Sequence, residues 1–207
     1  MKTTSILTFV LLAAAYMPAA AQDKSSGKIS YTLTMNLHAN LKPEQMQYKD
    51  MIPETATQDA SLWFNKQRFK TFYNANQKKE GDDVEVNVNI QSDNGDELYV
   101  DLDSKKQWAK KNGKLKEAPL DIRKGESIAT GATKEILGYP CQQLILVNKK
   151  DSTTIWYTTA LPLHAGSPIG MFTDKGVVLE MQHRKMSFMA TAIEFMPIRD
   201  EELAISR

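Results

Sequence analysis

The sequence predicts a mainly β protein: a single curved antiparallel sheet, a half-barrel or barrel, with a short helical or loop lid. Apolar and polar residues alternate along much of the chain, most clearly at residues 29–37. Such alternation buries one face of a strand and leaves the other in water. Short turns separate consecutive segments, which is typical of an antiparallel meander. A sheet of this many strands usually curls or closes.

The first residues predict a signal peptide. Lys2 precedes an apolar run from Ile6 to Tyr16, and three alanines end at Ala21. A positive start, a short apolar run and small residues before the cleavage point are typical of secreted proteins. The run is shorter than the roughly 20 residues that span a bilayer. We therefore expect a cleaved signal peptide at residues 1–21, a single secreted β-rich domain at 22–207, and no transmembrane span.

Ten strands are predicted in the secreted domain. Asn94-Gly95 predicts a tight hairpin, because both residues tolerate positive φ. The predicted strands are residues 29–37, 61–64, 68–74, 84–90, 98–102, 106–110, 143–148, 153–158, 177–182 and 186–195.

One segment interrupts the strands. Residues 40–58 contain Pro43 and Pro53 together with many polar residues. Pro43 is suited to begin a short helix that runs to about Met51. The segment is either a lid over the concave face of the sheet or a long surface loop.

Two late strands are apolar on both faces. Residues 144–147 form an unbroken apolar run, and residues 186–195 place apolar side chains on both sides. Such strands must be covered on both faces. The cover could be the lid, a C-terminal helix from Asp200, or a bound apolar ligand, so the pattern fits ordinary core packing or an apolar pocket.

Charge and motifs exclude several function classes. The formal net charge is +1, which gives no reason to expect nucleic acid as a partner. There is no nucleophile elbow, zinc motif, phosphate loop or dinucleotide fingerprint. We expect neither enzymatic activity nor a cofactor.

Sulfur-containing residues leave two alternatives open. Cys141 is the single cysteine, and free cysteines are usually buried, so packing is expected rather than a reactive thiol. Met181, His183, Met186 and Met189 combine ligand types that suit copper(I). Methionine also fills irregular gaps in cores, and we expect no metal site.

Lysines cluster around Trp108. Their two interpretations are protection of a sheet edge and a basic patch for anionic groups. They are Lys105, Lys106, Lys110, Lys111, Lys114 and Lys116.

A family resemblance comes from three segments: the opening strand at Gly27–Tyr31, the run from Thr133 to Cys141, and Thr154–Thr158. In these the chain resembles the GLPGLI family of secreted Gram-negative proteins or its sister family of unknown function. The stretch from Phe172 to Glu180 lacks the Leu-Pro of the GLPGLI signature, which favours the sister family. The resemblance implies a periplasmic location and a strand pattern similar to the lipoprotein-carrier (LolA/LolB-like) fold, by fold analogy only.

These observations predict a periplasmic, non-enzymatic carrier for an apolar ligand, either a lipid or a lipoprotein segment. The alternative is an envelope structural protein that binds a protein partner through a sheet edge or the Lys105–Lys116 hairpin. The expected lining residues of the apolar site are Met35, Trp63, Phe72, Leu144, Leu146, Trp156, Met189 and Phe195.

Overall fold

The protein is described by a computed structural model that covers residues 23–73, 97–111, 113–120, 127–148, 151–170 and 172–205. This part of the chain contains eleven strands and two short 3-10 helices, at His38–Asn40 and Pro43–Met51. The strands are β1 (Ser26–Asn36), β2 (Thr55–Asn65), β3 (Arg68–Tyr73), β4 (Glu97–Asp101), β5 (Lys106–Lys111), β6 (Lys114–Pro119), β7 (Ser127–Ile136), β8 (Tyr139–Asn148), β9 (Asp151–Thr158), β10 (Val177–Gln182) and β11 (Met186–Phe195).

The strands form one antiparallel sheet built from two meanders. Its order is β6-β5-β4-β3-β2-β1-β11-β10-β9-β8-β7. The two halves join where β1 pairs with β11, from Gly27 opposite Phe195 to Met35 opposite Met186. Nearly every neighbour in the sheet is also a neighbour in the chain, as tight turns dictate. The predicted mainly β, single-sheet architecture is confirmed.

The sheet is strongly curved and not closed. Its two edge strands, β6 and β7, are consecutive in the chain, and only residues 120–126 separate them. Ten flat strand spacings would hold the edges about 48 Å apart. Seven extended residues reach only about 25 Å. The sheet must therefore curl so that its edges approach each other, which defines an inner face and an outer face.

The inner face is filled by the hydrophobic core and by the segment between β9 and β10, residues 159–176. Phe172 of this segment packs edge-on against Phe69 of β3, with ring centroids 5.7 Å apart. Tyr73 of β3 donates a hydrogen bond to the carbonyl oxygen of Pro168 at 2.6 Å. Leu161 and Leu163 are buried in the same core. The inner face is therefore occupied by the chain's own side chains.

The turn between β7 and β8 sets the register of this hairpin. Leu137 and Gly138 both have positive φ, at 53° and 80°, the conformation of a two-residue type I′ turn. Ile136 pairs with Tyr139 on either side of the turn. Gly138 accepts this conformation without strain, whereas Leu137 does not.

Most of the predicted strands are confirmed, with ends that differ by a few residues. Two strands were missed: β6, whose sequence KLKEAP has few apolar residues, and β7, which is almost wholly exposed. The predicted strand at 84–90, the Asn94-Gly95 turn and the predicted signal peptide at 1–21 lie outside the described residues. The predicted short helix at Pro43 is a 3-10 helix without buried residues. The residues after Asp200 form turns rather than a helix.

Candidate functional site

A single row of facing residues crosses the outer face of the sheet. Each member is the direct cross-strand partner of the next, so neighbouring Cβ atoms lie about 5 Å apart. From β11 to β6 the row reads Glu194, Lys28, Trp63, Lys70, Tyr99, Trp108 and Glu117. Three aromatic rings and two cations thus lie side by side between two carboxylates.

Lys70 is the buried centre of this row. Its Nζ lies 4.4 Å from the ring centroid of Phe72 and 4.6 Å from that of Tyr99, which are cation–π distances. It also lies 3.1 Å from a carboxylate oxygen of Glu97, and the Tyr99 hydroxyl donates to the same oxygen. Lys70 and Glu97 thus form an ion pair, and the rings of Phe72 and Tyr99 lie against the ammonium group of Lys70.

The charges of this group are mutually stabilised. Burial by itself would lower the pKa of Lys70, but its hydrogen bonds with Tyr99 and Glu97 hold that pKa above the ordinary value. Burial would likewise raise the pKa of Glu97, yet hydrogen bonds from Tyr99 and Lys70 hold it below the ordinary value. Lys70 and Glu97 therefore stay charged, and their role is to hold the neighbouring rings in place.

Trp108 is oriented by a carboxylate and opens on a cavity. Its Nε1 donates to Glu117 Oε2 at 3.0 Å, and Lys106 Nζ lies 2.8 Å from Glu117 Oε1. Hydrogen bonds from Lys106 and Trp108 hold the pKa of Glu117 below its usual value. The cavity measures about 520 Å³ and is lined by Trp108, Leu115, Glu117 and Ile205. That volume lies within the range of small-molecule sites.

The C-terminal segment supplies one wall of this cavity. Asn65, at the end of β2, donates from Nδ2 to the carbonyl oxygen of Ile198 at 2.8 Å and to Asp200 Oδ1 at 2.9 Å. Ile198 and Leu203 are buried although they lie outside the main core cluster. The segment after β11 thus packs against the rest of the domain, and Ile205 reaches the cavity beside Trp108.

The other two tryptophans have their rings engaged. Trp63 packs edge-on against Phe72 at 5.5 Å. The ring of Trp156 is covered by Lys134, whose Nζ lies 4.4 Å from its centroid and pairs with Glu180 at 2.5 Å. The ring of Trp108, in contrast, lines the cavity beside Leu115 and Ile205.

The predicted apolar lining residues do not come together in one pocket. Leu144 is part of the buried core, and Met35, Leu146, Trp156 and Phe195 pack against that core. Trp63 and Phe72 contact each other on the outer face, and Met189 is 52% exposed. The two-sided apolar pattern reflects core packing on one face only. Leu144 and Phe188 lie in the core, whereas Val147 and Met189 of the same strands are exposed.

Histidine and cysteine have structural surroundings. His183 Nε2 lies 3.0 Å from Asp151 Oδ2, and Arg184 Nε pairs with the same carboxylate at 2.5 Å, so the start of β9 and the turn after β10 are tied together. Within the described ranges, no three His, Cys, Asp or Glu side chains are grouped as a metal site. Cys141 is a buried free thiol, as expected, and burial raises its pKa.

Sequence reasoning missed the row of the outer face and the role of Ile205. Trp108 stood out among its lysines, but nothing in the sequence aligned it with Tyr99 or Glu117. The signal that could have found the pair is the expected Lys105–Lys116 hairpin, since two strands that leave a tight turn face each other in a fixed register. The partner of Trp108 across that turn is Glu117.

Comparison with known proteins gives a consistent relationship. The family described as "N-glycanase peptide, N-terminal domain" matches residues 114–204. The fold is similar to the structure of PNGF-II in its C2 space group, with a TM-score of 0.57 and 16% identity over 86% of this chain. The P21 form gives a TM-score of 0.55 and 18% identity over 88%. This chain spans 29% of the length of the protein in the C2 structure and 30% of its length in the P21 structure. No curated protein matches the sequence.

These comparisons correct the sequence-based identification. The resemblance to the GLPGLI family and its sister family, and with it the lipoprotein-carrier analogy, is wrong. Two of the three segments that carried it, Thr133–Cys141 and Thr154–Thr158, lie in the region that matches the N-glycanase domain family. The prediction of an apolar-ligand carrier is wrong for the same reason, and so is its alternative of an envelope protein with a protein partner. No helix in the described part of the chain is long and apolar enough to cross a membrane.

Proposed function

We propose that the chain is a non-catalytic, carbohydrate-binding domain that serves glycoprotein processing beside a separate catalytic unit. Two observations support the proposal. The second half of the chain is similar to the N-terminal domain of an N-glycanase, a name that denotes action on N-linked glycans. The outer face carries an oriented tryptophan beside a cavity.

The single observation that carries the proposal is the geometry of Trp108 and Glu117. Sugar rings present C–H groups on their faces and hydroxyls at their edges, so a sugar site needs a flat apolar surface next to polar acceptors. An indole ring supplies this stacking surface. Glu117, fixed by Trp108 and Lys106, supplies an ionised carboxylate that accepts hydroxyl hydrogen bonds. A charged acceptor makes the stronger kind of hydrogen bond.

The remaining cavity walls fit a sugar as well. Leu115 and Ile205 are apolar and lie with Trp108 around about 520 Å³, space for one or two sugar rings within the usual range of ligand pockets. The buried group of Lys70, Glu97 and Tyr99 lies directly beside Trp108 in the row. It makes the floor rigid, which lowers the ordering cost of binding.

Absence of catalysis is part of the proposal. Two carboxylates, one that accepts from Tyr99 and one that accepts from Trp108, are each held by a lysine: Glu97 by Lys70 and Glu117 by Lys106. Their pKa values lie below the ordinary value, whereas a general acid at neutral pH needs a raised one. Secretion through the predicted signal peptide at residues 1–21 would bring the domain to glycoproteins outside the cytoplasm.

The test uses a natural pair of proteins that differ only in a glycan. Ribonuclease B carries one N-linked glycan, and ribonuclease A has the same polypeptide without it. Immobilised protein should retain ribonuclease B and not ribonuclease A, and it should leave the glycan attached after prolonged incubation. Trp108→Ala should lose the retention, whereas Trp156→Phe should keep it. Equal retention of both ribonucleases would reject the proposal.

A further inference from the structure

The hairpin of β5 and β6 divides its lysines between the two faces of the sheet. Side chains alternate along a strand, so residues two apart share a face. Lys106 and Lys110 lie on the same face as Trp108, and Lys110 is opposite Leu115, a wall of the cavity. Lys116 is opposite Ala109 and belongs to the other face. The lysine cluster seen in the sequence therefore reduces to two cations beside the cavity.

The charges around the cavity do not cancel. Lys106 is paired with Glu117 at 2.8 Å, and Lys70 is paired with Glu97 at 3.1 Å. Lys110 faces Glu97 across β4 and β5, and its positive charge helps to lower the pKa of Glu97. Among the described residues, however, no carboxylate forms a direct ion pair with Lys110. Glu97 is already engaged by Lys70 and Tyr99. The face beside the cavity thus carries one more positive charge than its two direct ion pairs neutralise. That charge is on Lys110, which is half-buried two residues along the strand from Trp108.

On the basis of the proposed function, we propose that the cavity selects an anionic sugar residue and that Lys110 is the specificity-determining cation. A sugar ring stacked on Trp108 has its edge directed toward the neighbouring residues of the face, and Lys110 is the next residue on that face of β5. A carboxylate or sulfate group at this edge would form the ion pair that Lys110 lacks. The preferred class of ligand is therefore a glycan with an acidic sugar, which should bind more tightly than its neutral counterpart.

The selectivity follows from electrostatics and from the existing pairs. Lys106 and Lys70 are committed to carboxylates, so an incoming anion would have to break those pairs to reach them. Lys110 has only its longer-range attraction to Glu97, so an anion can approach it without breaking a direct ion pair. The partial burial of Lys110 reduces screening by water and salt. Glu117, in contrast, would repel an anion on its own side of Trp108. The two residues therefore also define an orientation, with hydroxyls toward Glu117 and the anion toward Lys110.

The experiment compares galactose with galacturonic acid, which differ only in the carboxylate at C6, by calorimetric titration of the full chain. We expect galacturonic acid to bind about fivefold more tightly, the size of one partly exposed ion pair. Lys110→Gln should remove that difference and leave galactose binding unchanged. Lys116→Gln, which changes a lysine of the same strand pair on the other face, should keep the difference.

Galactose 6-sulfate, as a third sugar, tests whether the cavity recognises any anionic group or only a carboxylate. Tighter binding of galactose 6-sulfate as well as galacturonic acid supports recognition of an anion in general, and tighter binding of galacturonic acid alone supports recognition of a carboxylate. If galactose and galacturonic acid bind equally well to the wild type, or Lys110→Gln keeps the preference, the selectivity inference is overturned while the carbohydrate-binding proposal stands. If none of these sugars binds, and Trp108→Ala retains ribonuclease B as well as the wild type does, both the selectivity inference and the carbohydrate-binding proposal fail.

Discussion

Glu117 accepts a hydrogen bond from the indole N–H of Trp108 at 3.0 Å across the β5–β6 hairpin. The two residues are direct cross-strand partners, so the bond fixes the ring relative to the sheet. The other Glu117 oxygen is held by Lys106. A carboxylate with two donors is already oriented before a ligand arrives.

This arrangement predicts how tryptophan fluorescence responds to acid. Hydrogen bonds from Lys106 and Trp108 favour the ionised carboxylate, so Glu117 should titrate below its reference pKa of 4.5. Fluorescence should change with a midpoint below 4.5 as Glu117 is protonated and its bond to Trp108 weakens. Glu117→Gln should remove the transition, and Lys106→Met should move its midpoint upward. A midpoint above 4.5 in the wild type would contradict the geometry.

The buried pair of Lys70 and Glu97 predicts a pH-dependent stability. The folded-state pKa of Glu97 is depressed, so its stabilisation is present above the unfolded pKa and is lost as the pH falls through the folded value. The folded-state pKa of Lys70 is raised, so its stabilisation is present below the unfolded pKa and is lost as the pH rises through the folded value. Stability should therefore decline at both acid and strongly alkaline pH.

Glu97→Gln provides the check. At pH 7 this substitution should lower the free energy of unfolding by about 2 kcal/mol, because the buried Lys70 loses its charged partner. The difference in the free energy of unfolding between Glu97→Gln and the wild type should shrink as the pH falls below the pKa of free glutamate. Asp174→Asn, which removes an exposed partner of Lys175, should change stability by less than about 0.5 kcal/mol. Urea unfolding at several pH values measures the stability of both variants. A loss of stability in Glu97→Gln that does not vary with pH would contradict the prediction.

The turn at Leu137-Gly138 predicts a stabilising substitution. Leu137 is 43% exposed and has a φ of 53°, a conformation that asparagine adopts more readily than leucine. Asn-Gly is the preferred pair for this turn type. Leu137→Asn should raise the free energy of unfolding by about 0.5–1 kcal/mol. Leu115→Asn is a matched exposed leucine within a strand and should not stabilise. An unchanged or lower melting temperature for Leu137→Asn would contradict the assigned turn.

The pairing of β1 with β11 depends on the absence of a side chain at Gly27. A Cβ built there would lie 2.3 Å from the carbonyl oxygen of Glu194, so the backbones would have to separate. Gly27→Ala should destabilise the protein by about 1–3 kcal/mol, as overpacking does. Gly166 would meet its nearest neighbour at 3.5 Å, and Gly166→Ala should be tolerated better. Thermal unfolding of the two variants compares them, and equal melting temperatures would argue against the close approach.

The lone cysteine should be inert in the folded protein. Cys141 is 1% exposed, and burial, which outweighs the smaller effects of nearby groups, raises the pKa of its thiol. Because the thiolate is the reactive form, a chromogenic disulfide reagent should modify it very slowly at pH 7.5. The same reagent should react promptly in denaturant. Rapid modification of the native protein would show that the thiol is accessible.

Local sequence patterns predict much of this sheet. β1, β10 and β11 carry apolar alternation or apolar runs that lie on a buried face, and period-two patterns report such burial directly. β6 and β7 escape prediction because they are edge strands with little buried surface. Their pairing comes from their neighbours rather than from their own side chains.

The site was less predictable than the fold for a physical reason. Trp63, Lys70, Tyr99 and Trp108 form one row only because four strands pair in a particular register, and register depends on turns and bulges spread along the chain. No strand was predicted at 159–176, yet Phe172 and Leu163 of this segment lie in the core. The sequence left open whether the concave face holds a core or a pocket, and the structure has a core there.

The most direct test of the account is a nitrogen–proton correlation spectrum of the tryptophan indole groups during titration with the N-linked glycan released from ribonuclease B. The chain has three tryptophans, and the Trp108→Phe spectrum assigns one signal. The account predicts a saturable shift of the Trp108 signal, with those of Trp63 and Trp156 almost unmoved. A spectrum in which the Trp108 signal stays in place at saturating glycan would contradict carbohydrate binding at this cavity.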